Sequence, residues 1–276
     1  MKDLSIITVT HQSALFIEDQ VFSVISGSLK LSVEQIIVDN ASTDATGEVL
    51  DSLSGLVFKV IKNDANIGFS AANNQGLMAA NGRYLLFLNP DMRVKEGSLD
   101  LLVEWMDAHP EVGIASCMLV DALGNPLLTG SPRKLPRLGR EILWLLCLDG
   151  LCKKEQMKIG EDKSVEMVKG AFMLVKREVV EKLGFAFDPR YFLLYEDTDL
   201  CREAKRLGYK ICFHSGIHCI DFNSRSFSVK EKRWIYRCFS QSMLKYFRKW
   251  EPWYRWMWVA LLIPVGSLLR FRDWKN

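Results

Sequence analysis

Gln35-Ile36-Ile37-Val38-Asp39-Asn40-Ala41-Ser42-Thr43-Asp44 is the stretch that decides the fold. A short buried strand over 35–38 runs straight into a polar cluster. A helix is expected to follow over 43–53, with Ser42 or Thr43 as its cap. The same unit repeats on both sides. Upstream, Leu4–Val9 reads as a strand that ends in Thr10-His11-Gln12, and 13–27 has helical spacing through Leu15, Val21, Phe22 and Ile25. Downstream, Val57–Ile61 reads as a strand, Phe69–Ala80 as an Ala-rich helix, and Tyr84–Leu88 as a strand that ends in Asn89-Pro90-Asp91. Strand–helix alternation of this kind predicts an α/β fold, a mainly parallel sheet with helices on both faces. In such sheets ligands bind beyond the carboxyl ends of the strands. The polar clusters obey that rule, although loops are polar for ordinary reasons as well.

The rest of the chain is less regular. A helix is expected over Glu96–His109, a strand over Gly113–Val120 and a turn over Asp121–Gly124. Residues 130–165 read as a loop around a short apolar helix, Ile142–Leu151. Met167–Val175 reads as a strand with Gly170 inside it, Asp197–Leu207 as a helix and Lys210–Phe213 as a strand. Val229–Trp250 is a basic amphipathic helix with the stripe Ile235, Phe239, Met243, Tyr246, Phe247 and Trp250. The charge-free run Trp256–Leu269 is shorter than the roughly 20 residues that span a bilayer.

The bulk numbers fit one large folded unit: 276 residues, 49% hydrophobic and 25% charged. The organisation expected is an α/β domain over 1–228 followed by a basic, aromatic helical tail over 229–276. The net charge of +3 is too small to suggest nucleic acid as a partner. Its distribution says more, because residues 230–276 hold 11 Lys/Arg against 3 Asp/Glu. A tail of that sign suits an anionic membrane surface. Six of the eight Trp lie there (Trp234, Trp250, Trp253, Trp256, Trp258, Trp274). Packing on the domain or on a second copy, as a homodimer, is the competing expectation. The seven cysteines (Cys117, Cys147, Cys152, Cys201, Cys212, Cys219, Cys238) form no CxxC pair and suggest a reducing compartment. The N-terminus enters a strand at once and lacks a signal-peptide layout. The expected location is therefore cytoplasmic, peripheral on the inner face of the cell membrane.

Two clusters can carry chemistry. Asn89-Pro90-Asp91 puts a carboxylate at a strand end, where it could hold Mg²⁺ or Mn²⁺ between substrate phosphates. It is equally a plain turn. Glu196-Asp197-Thr198-Asp199 crowds three carboxylates into four residues. A helix N-terminus would favour them. So would catalysis, since an Asp beside the aromatic run Tyr191–Tyr195 could act as a general base. GxGxxG, P-loop, HExxH and GxSxG motifs are all missing, which sets aside dinucleotide enzymes, P-loop kinases and α/β-hydrolases.

Several segments stand in a familiar order: Ile6–Thr10, Ile36–Asp44, Asn66–Gly76, Leu86–Asp91, Lys169–Arg177, Phe187–Cys201 and Arg206–Ile211. Together, over about residues 4–226, they resemble family two glycosyltransferases of the GT-A fold, and in particular the rhamnosyltransferase-like branch of bacterial polysaccharide and cell-envelope assembly. The resemblance implies an inverting transfer from a nucleotide-sugar donor, of the dTDP-rhamnose or UDP-sugar type, to a glycan or lipid-linked glycan. It implies a nucleotide pocket of Thr10, Asp39, Asn40, Ser42, Asp44, Asn66, Gly68, Phe69, Asn73, Asn74 and Asn89. It makes Asp91 a metal ligand for Mg²⁺ or Mn²⁺, Asp197 the general base and Glu196 its orienting neighbour.

The chain also departs from the family pattern. Thr10-His11-Gln12 replaces the usual Thr-Tyr-Asn, and Asn89 stands where the first acid of Asp-x-Asp is usual. Asn223-Ser224 replaces two glycines. The late metal-associated His falls at Asp221 by spacing, with His218 three residues earlier, so either is the expected third ligand. These departures keep two other readings open: a non-catalytic sugar-nucleotide-binding protein, and a polyprenyl-phosphate sugar transferase. Nucleic-acid binding by the basic helix is the least specific reading.

Overall fold

The computed structural model describes residues 1–127, 133–151, 163–222 and 232–271. Cys152, Asn223-Ser224, Arg272, Trp274 and Lys275 lie outside them. The chain runs β1 (Lys2–Thr10), α1 (Ile17–Gly27), β2 (Val33–Asp39), α2 (Thr46–Ser52), β3 (Lys59–Lys62), α3 (Phe69–Ala79), β4 (Gly82–Leu88), β5 (Met92–Val94), α4 (Ser98–Ala108) and β6 (Val112–Val120). There follow α5 (Leu138–Leu145), β7 (Lys163–Ser164), β8 (Phe172–Lys176), α6 (Arg177–Leu183), α7 (Glu196–Arg206), β9 (Lys210–Asp221), α8 (Lys232–Trp250) and α9 (Trp253–Phe271).

The expected α/β sheet is present, in the order β3-β2-β1-β4-β8-β6-β9-β5, with β7 paired to β9. β1 to β4 are mutually parallel where paired, β8 runs antiparallel to β4 and β6, and β9 is parallel to β6. Alternate side chains fill two cores, as the two-residue period of a strand requires. Leu4, Ile6, Tyr84, Leu86 and Leu88 face one side with Leu99, Leu102 and Met106 of α4. Ile7, Leu85 and Phe87 face the other with Val179 and Val180 of α6 and Leu200 and Ala204 of α7. Burial on both faces explains the unbroken apolar runs.

Several expectations shift. α1 begins at Ile17, and its inward residues are Ile17, Val21 and Val24, while Leu15, Phe22 and Ile25 are exposed. The strand expected over 167–175 shortens to β8, and Met167 instead bridges Arg133. The helix expected over 142–151 lies at Leu138–Leu145, followed by a single 3₁₀ turn at Asp149–Leu151. β9 continues eight residues past the expected Phe213, through a bulge near His214, to Asp221.

The tail packs on the domain. α8 buries Tyr236, Met243, Tyr246 and Phe247 in a third core with Tyr191, Tyr195, Leu145 of α5 and Val259 of α9. Gly266 lets α9 approach, since a Cβ there would lie 2.5 Å from both the Leu145 carbonyl and the Tyr236 hydroxyl. The polar anchor is Lys249. Its Nζ donates to Asp199 at 2.6 Å and pairs with Glu203 at 2.8 Å and Asp188 at 3.3 Å. Trp250 Nε1 donates to the other Asp199 oxygen at 2.6 Å. Burial works against the ammonium, but its bonds to Asp199 and Glu203 outweigh this and raise its pKa. Burial pushes the Asp199 carboxyl up, and Lys249 and Trp250 oppose it.

Removing one member of a buried ion pair leaves its partner uncompensated, at a cost of about 3–5 kcal/mol. Lys249→Met is expected to lose stability in that range in chemical denaturation, and Arg248→Met, at an exposed position, less than about 0.5 kcal/mol.

Candidate functional site

The carboxyl ends of β1 and β2 lie side by side, because Thr10 pairs with Asp39 in register. Thr10 Oγ1 donates to Asp39 Oδ1 at 3.1 Å, and Ser42 Oγ donates to the same oxygen at 2.5 Å. Asp39 Oδ2 accepts no hydrogen bond from the described residues, so one oxygen is held and the other is left for a ligand. The two loops are sewn together by the very residues that depart from the family pattern. His11 Nδ1 meets the Asn40 carbonyl at 3.0 Å, and Gln12 Oε1 accepts from the Thr43 and Asp44 amides at 3.2 and 3.0 Å. Asp44 accepts from the Thr46 hydroxyl and amide and from Ala14, at the start of α2.

Asn40 builds the next wall. Its Oδ1 accepts from the Ile67 amide at 3.0 Å and Asn63 at 3.2 Å, and its Nδ2 donates to Asn66 Oδ1 at 2.9 Å. Asn66 Oδ1 also accepts from the Gly68 amide at 3.0 Å. Gly68 has φ +90°, and a Cβ there would fall 2.7 Å from the Phe192 carbonyl. The Phe69 amide donates to that carbonyl at 2.7 Å. Asn73 and Asn74 turn away from the crevice: Asn73 donates to the Phe69 carbonyl, and Asn74 holds the backbone of Ala186 and Phe187. Their amides position the wall.

Asn89, half-buried, follows β4 and is tied by its amide to the Ala171 carbonyl at 3.0 Å. Asp91 is 4% exposed and Asp221 is 6% exposed. β5 pairs Met92 with Asp221, and the Asp91 carbonyl accepts from the Phe222 amide at 3.2 Å, so the two acids are ladder neighbours. His218 sits three steps back along the same ladder, and an odd step points a side chain to the opposite face. Burial, with Lys95 nearby, lowers its imidazole pKa. Asp221, paired with Met92, and Asp91, one residue before Met92, are backbone neighbours on opposite faces by the same rule, so register leaves both Asp221 and His218 as candidates beside Asp91. Two buried carboxylates completed by donor phosphates are the hard oxygen set that Mg²⁺ or Mn²⁺ prefers.

Asp197 and Glu196 open α7 after two residues in the left-handed region, Leu194 at φ +68° and Tyr195 at φ +70°. Such φ values in bulky residues cost about 1–3 kcal/mol each and persist only where surroundings enforce them. Here Ser242 of α8 donates to the Leu193 carbonyl at 2.8 Å, and Tyr195 donates to Glu141 of α5 at 3.2 Å. Asp197 is fixed by the Gly170 amide at 3.0 Å on Oδ2 and the Thr198 amide at 2.6 Å on Oδ1. It stays partly exposed. Glu196 is buried, and burial followed by the neighbouring Asp197 pushes its carboxyl well above the usual range. Its Oε2 has no partner among the described residues.

Lys169 opens a segment that the resemblance includes, but the sequence assigned its side chain no role. Burial and then Arg133 lower its pKa, and Asp221 and Asp197 act the other way. Phe192, from the aromatic run before Asp197, meets Trp234 edge to face at 6.4 Å beside Gly68, and Trp234 was not foreseen there. Trp234 lies in the tail, where no local pattern points to the crevice.

The matches to known proteins agree with this arrangement. Residues 5–184 match the model of glycosyl transferase family 2. The chain belongs to that family. It is 31% identical to the rhamnosyltransferase WbbL of Escherichia coli over 67% of this chain and 70% of that protein. It is 25% identical to the N-acetylglucosaminyl-diphospho-decaprenol L-rhamnosyltransferase of Mycobacterium tuberculosis, over 75% of this chain and 71% of that one. In fold it is similar to a mannosyltransferase from Pyrobaculum calidifontis, solved with GDP-Man and Mn²⁺, with a TM-score of 0.63 at 17% identity over 100% of this chain and 76% of the other. This glycosyltransferase is thus a GT-A enzyme of the rhamnosyltransferase-like branch, dependent on a nucleotide sugar.

Burial favours the uncharged form of Glu196, which an amide mimics. Glu196→Gln is expected to keep turnover within about tenfold of wild type, whereas Asp197→Asn loses about 10²-fold or more. The sign for stability follows from the raised pKa. Glu196 contributes fully below its unfolded pKa and loses that contribution as pH rises toward the folded value. Glu196→Gln should therefore gain in melting temperature over wild type as pH increases, which a pH series of thermal melts checks.

Proposed function

We propose that the chain transfers a sugar from a nucleotide donor to a lipid-linked glycan, with inversion at the anomeric carbon. The observation that carries this is the single held carboxylate, Asp197, bonded to the Gly170 amide, with Asp221 close enough to act with it on the charge of Lys169. One base and no second nucleophilic carboxylate suit a single displacement. Asp39 Oδ2 would accept from the base of the nucleotide, with Thr10 and Ser42 holding the carboxylate in place. Asn40 and Asn66 would shape the loop under the ribose and sugar. Asp197 would take the proton from the acceptor hydroxyl as it attacks, its two oxygens already oriented by Gly170 and Thr198. Buried beside it, Glu196 would lend a neutral acid and keep a second negative charge away from the base.

Asp91, with Asp221 or His218, would hold Mg²⁺ or Mn²⁺, which when bound neutralises charge on a departing nucleoside diphosphate. Lys169 would add positive charge on the same side. Support for a rhamnosyl donor and a diphosphate-lipid acceptor comes from the two rhamnosyltransferase relatives, one of which acts on a diphospho-decaprenol.

Nucleoside diphosphate release tests this across dTDP-, UDP- and GDP-sugars, with a polyprenyl-diphosphate sugar as acceptor. Release is expected with dTDP-rhamnose or a UDP-sugar, and EDTA should stop it. Asp91→Ala should lose the Mn²⁺-dependent tightening of donor binding, by about tenfold or more. Asp221→Ala and His218→Ala decide the third ligand: the variant that loses the same tightening removes it. Turnover that survives EDTA together with an unaffected Asp91→Ala would contradict the metal assignment.

A further inference from the structure

We propose that the outward face of α9 seats this enzyme on an anionic lipid bilayer. α9 is 19 residues long, about 28 Å. Tyr254, Trp258, Leu261, Val265 and Leu268 recur at i, i+4, i+7, i+11 and i+14, which lines them up on one side. All five are exposed, Trp258 at 53%, Leu261 at 57% and Leu268 at 69%. Trp253 and Leu269 widen the stripe at its edges. A surface helix of a globular protein ordinarily carries charges along its outward side; of its charged residues α9 keeps only Arg255 exposed, at its first turn and paired with Glu251, and it has no charge from Trp256 to Leu269. Arg270 points inward, where it donates to the Trp144 carbonyl at 2.6 Å and its guanidinium lies 4.0 Å from the centre of the Trp144 ring. The outer side is left as a continuous apolar face of a kind that marks an interaction surface.

Two features choose the bilayer over a second copy. Cations bracket the stripe. Exposed Arg248 lies over Trp256 near the start of α9, and Arg233 and Arg237 line a groove of about 630 Å³ between α8 and α9 beside Leu268 and Phe271. Residues 230–276 carry 11 Lys/Arg against 3 Asp/Glu, so two copies joined through this face would bring like charges together. An anionic headgroup layer complements the same charges. Secondly, Trp253, Tyr254 and Trp258 cluster at one end of the face, and such rings favour the headgroup boundary. Among the described residues no helix is long and apolar enough to cross a membrane, so the contact is one of lying on the surface. α8 takes no part through its apolar side, which the domain already buries.

Flotation of the full chain with vesicles decides the matter. Wild type is expected to float with phosphatidylglycerol-rich vesicles at low salt and about tenfold less with phosphatidylcholine alone. Leu261→Gln/Leu268→Gln should abolish flotation, with an unchanged melting temperature and unchanged nucleotide release with a water-soluble acceptor. That second readout separates failure of the surface from failure of the transfer chemistry. Arg233→Gln/Arg237→Gln should weaken binding to the anionic vesicles only. Wild type that stays at the bottom of the gradient would overturn the proposal, as would a Leu261→Gln/Leu268→Gln variant that floats normally. A lipid-free dimer in sedimentation that the same pair of substitutions dissociates would also overturn it, and would assign the face to a second copy.

Discussion

Lys249 imposes the constraint on which the site depends. Its ammonium lies within 3.3 Å of carboxyl oxygens from Asp188, Asp199 and Glu203. Asp199 and Glu203 belong to α7, and Asp188 belongs to the segment that leads into it. Three acids so close would repel one another without a shared cation. Lys249 thus joins α8 to α7, the helix that opens with Glu196 and Asp197. The apolar side of α8 faces the domain.

The crevice divides its polar groups into two kinds. Asn40, Asn66, Asn73 and Asn74 spend their amides on backbone and on each other. Such bonds fix loop shape, and each buried amide would be costly without them. Asp39, Asn89, Asp91, Asp197 and Asp221 instead lie at or beside strand or helix ends. A rigid first group would let the second act without reorganising, the property that electrostatic stabilisation of a transition state requires.

Much of this was legible in local pattern. β1, β2 and β4 are buried on both faces, so their apolar runs are unbroken and their ends stand out as Thr10, Asp39 and Asn89. The helical faces were less legible. Leu15, Val21, Phe22 and Ile25 suggested an inward stripe, but α1 starts only at Ile17, and of the four Val21 alone is buried, beside Ile17 and Val24. β9 was cut short at Phe213 because His214-Ser215-Gly216 interrupts the apolar run at a bulge. That hid the ladder between β5 and β9, which makes Asp91 and Asp221 backbone neighbours. The tail misled for another reason. Composition weighs Arg270 as a surface charge, whereas tertiary contact turns it inward onto Trp144.

The central claim is a single displacement with Asp197 as base, and the stereochemistry of the product tests it most directly. Proton NMR of the transferred sugar, followed from a donor of known anomeric configuration, reads the outcome in one coupling pattern. Inversion in every turnover is the predicted result. A product that keeps the donor's configuration would contradict the account, because it would require a second step that these residues are not arranged to perform.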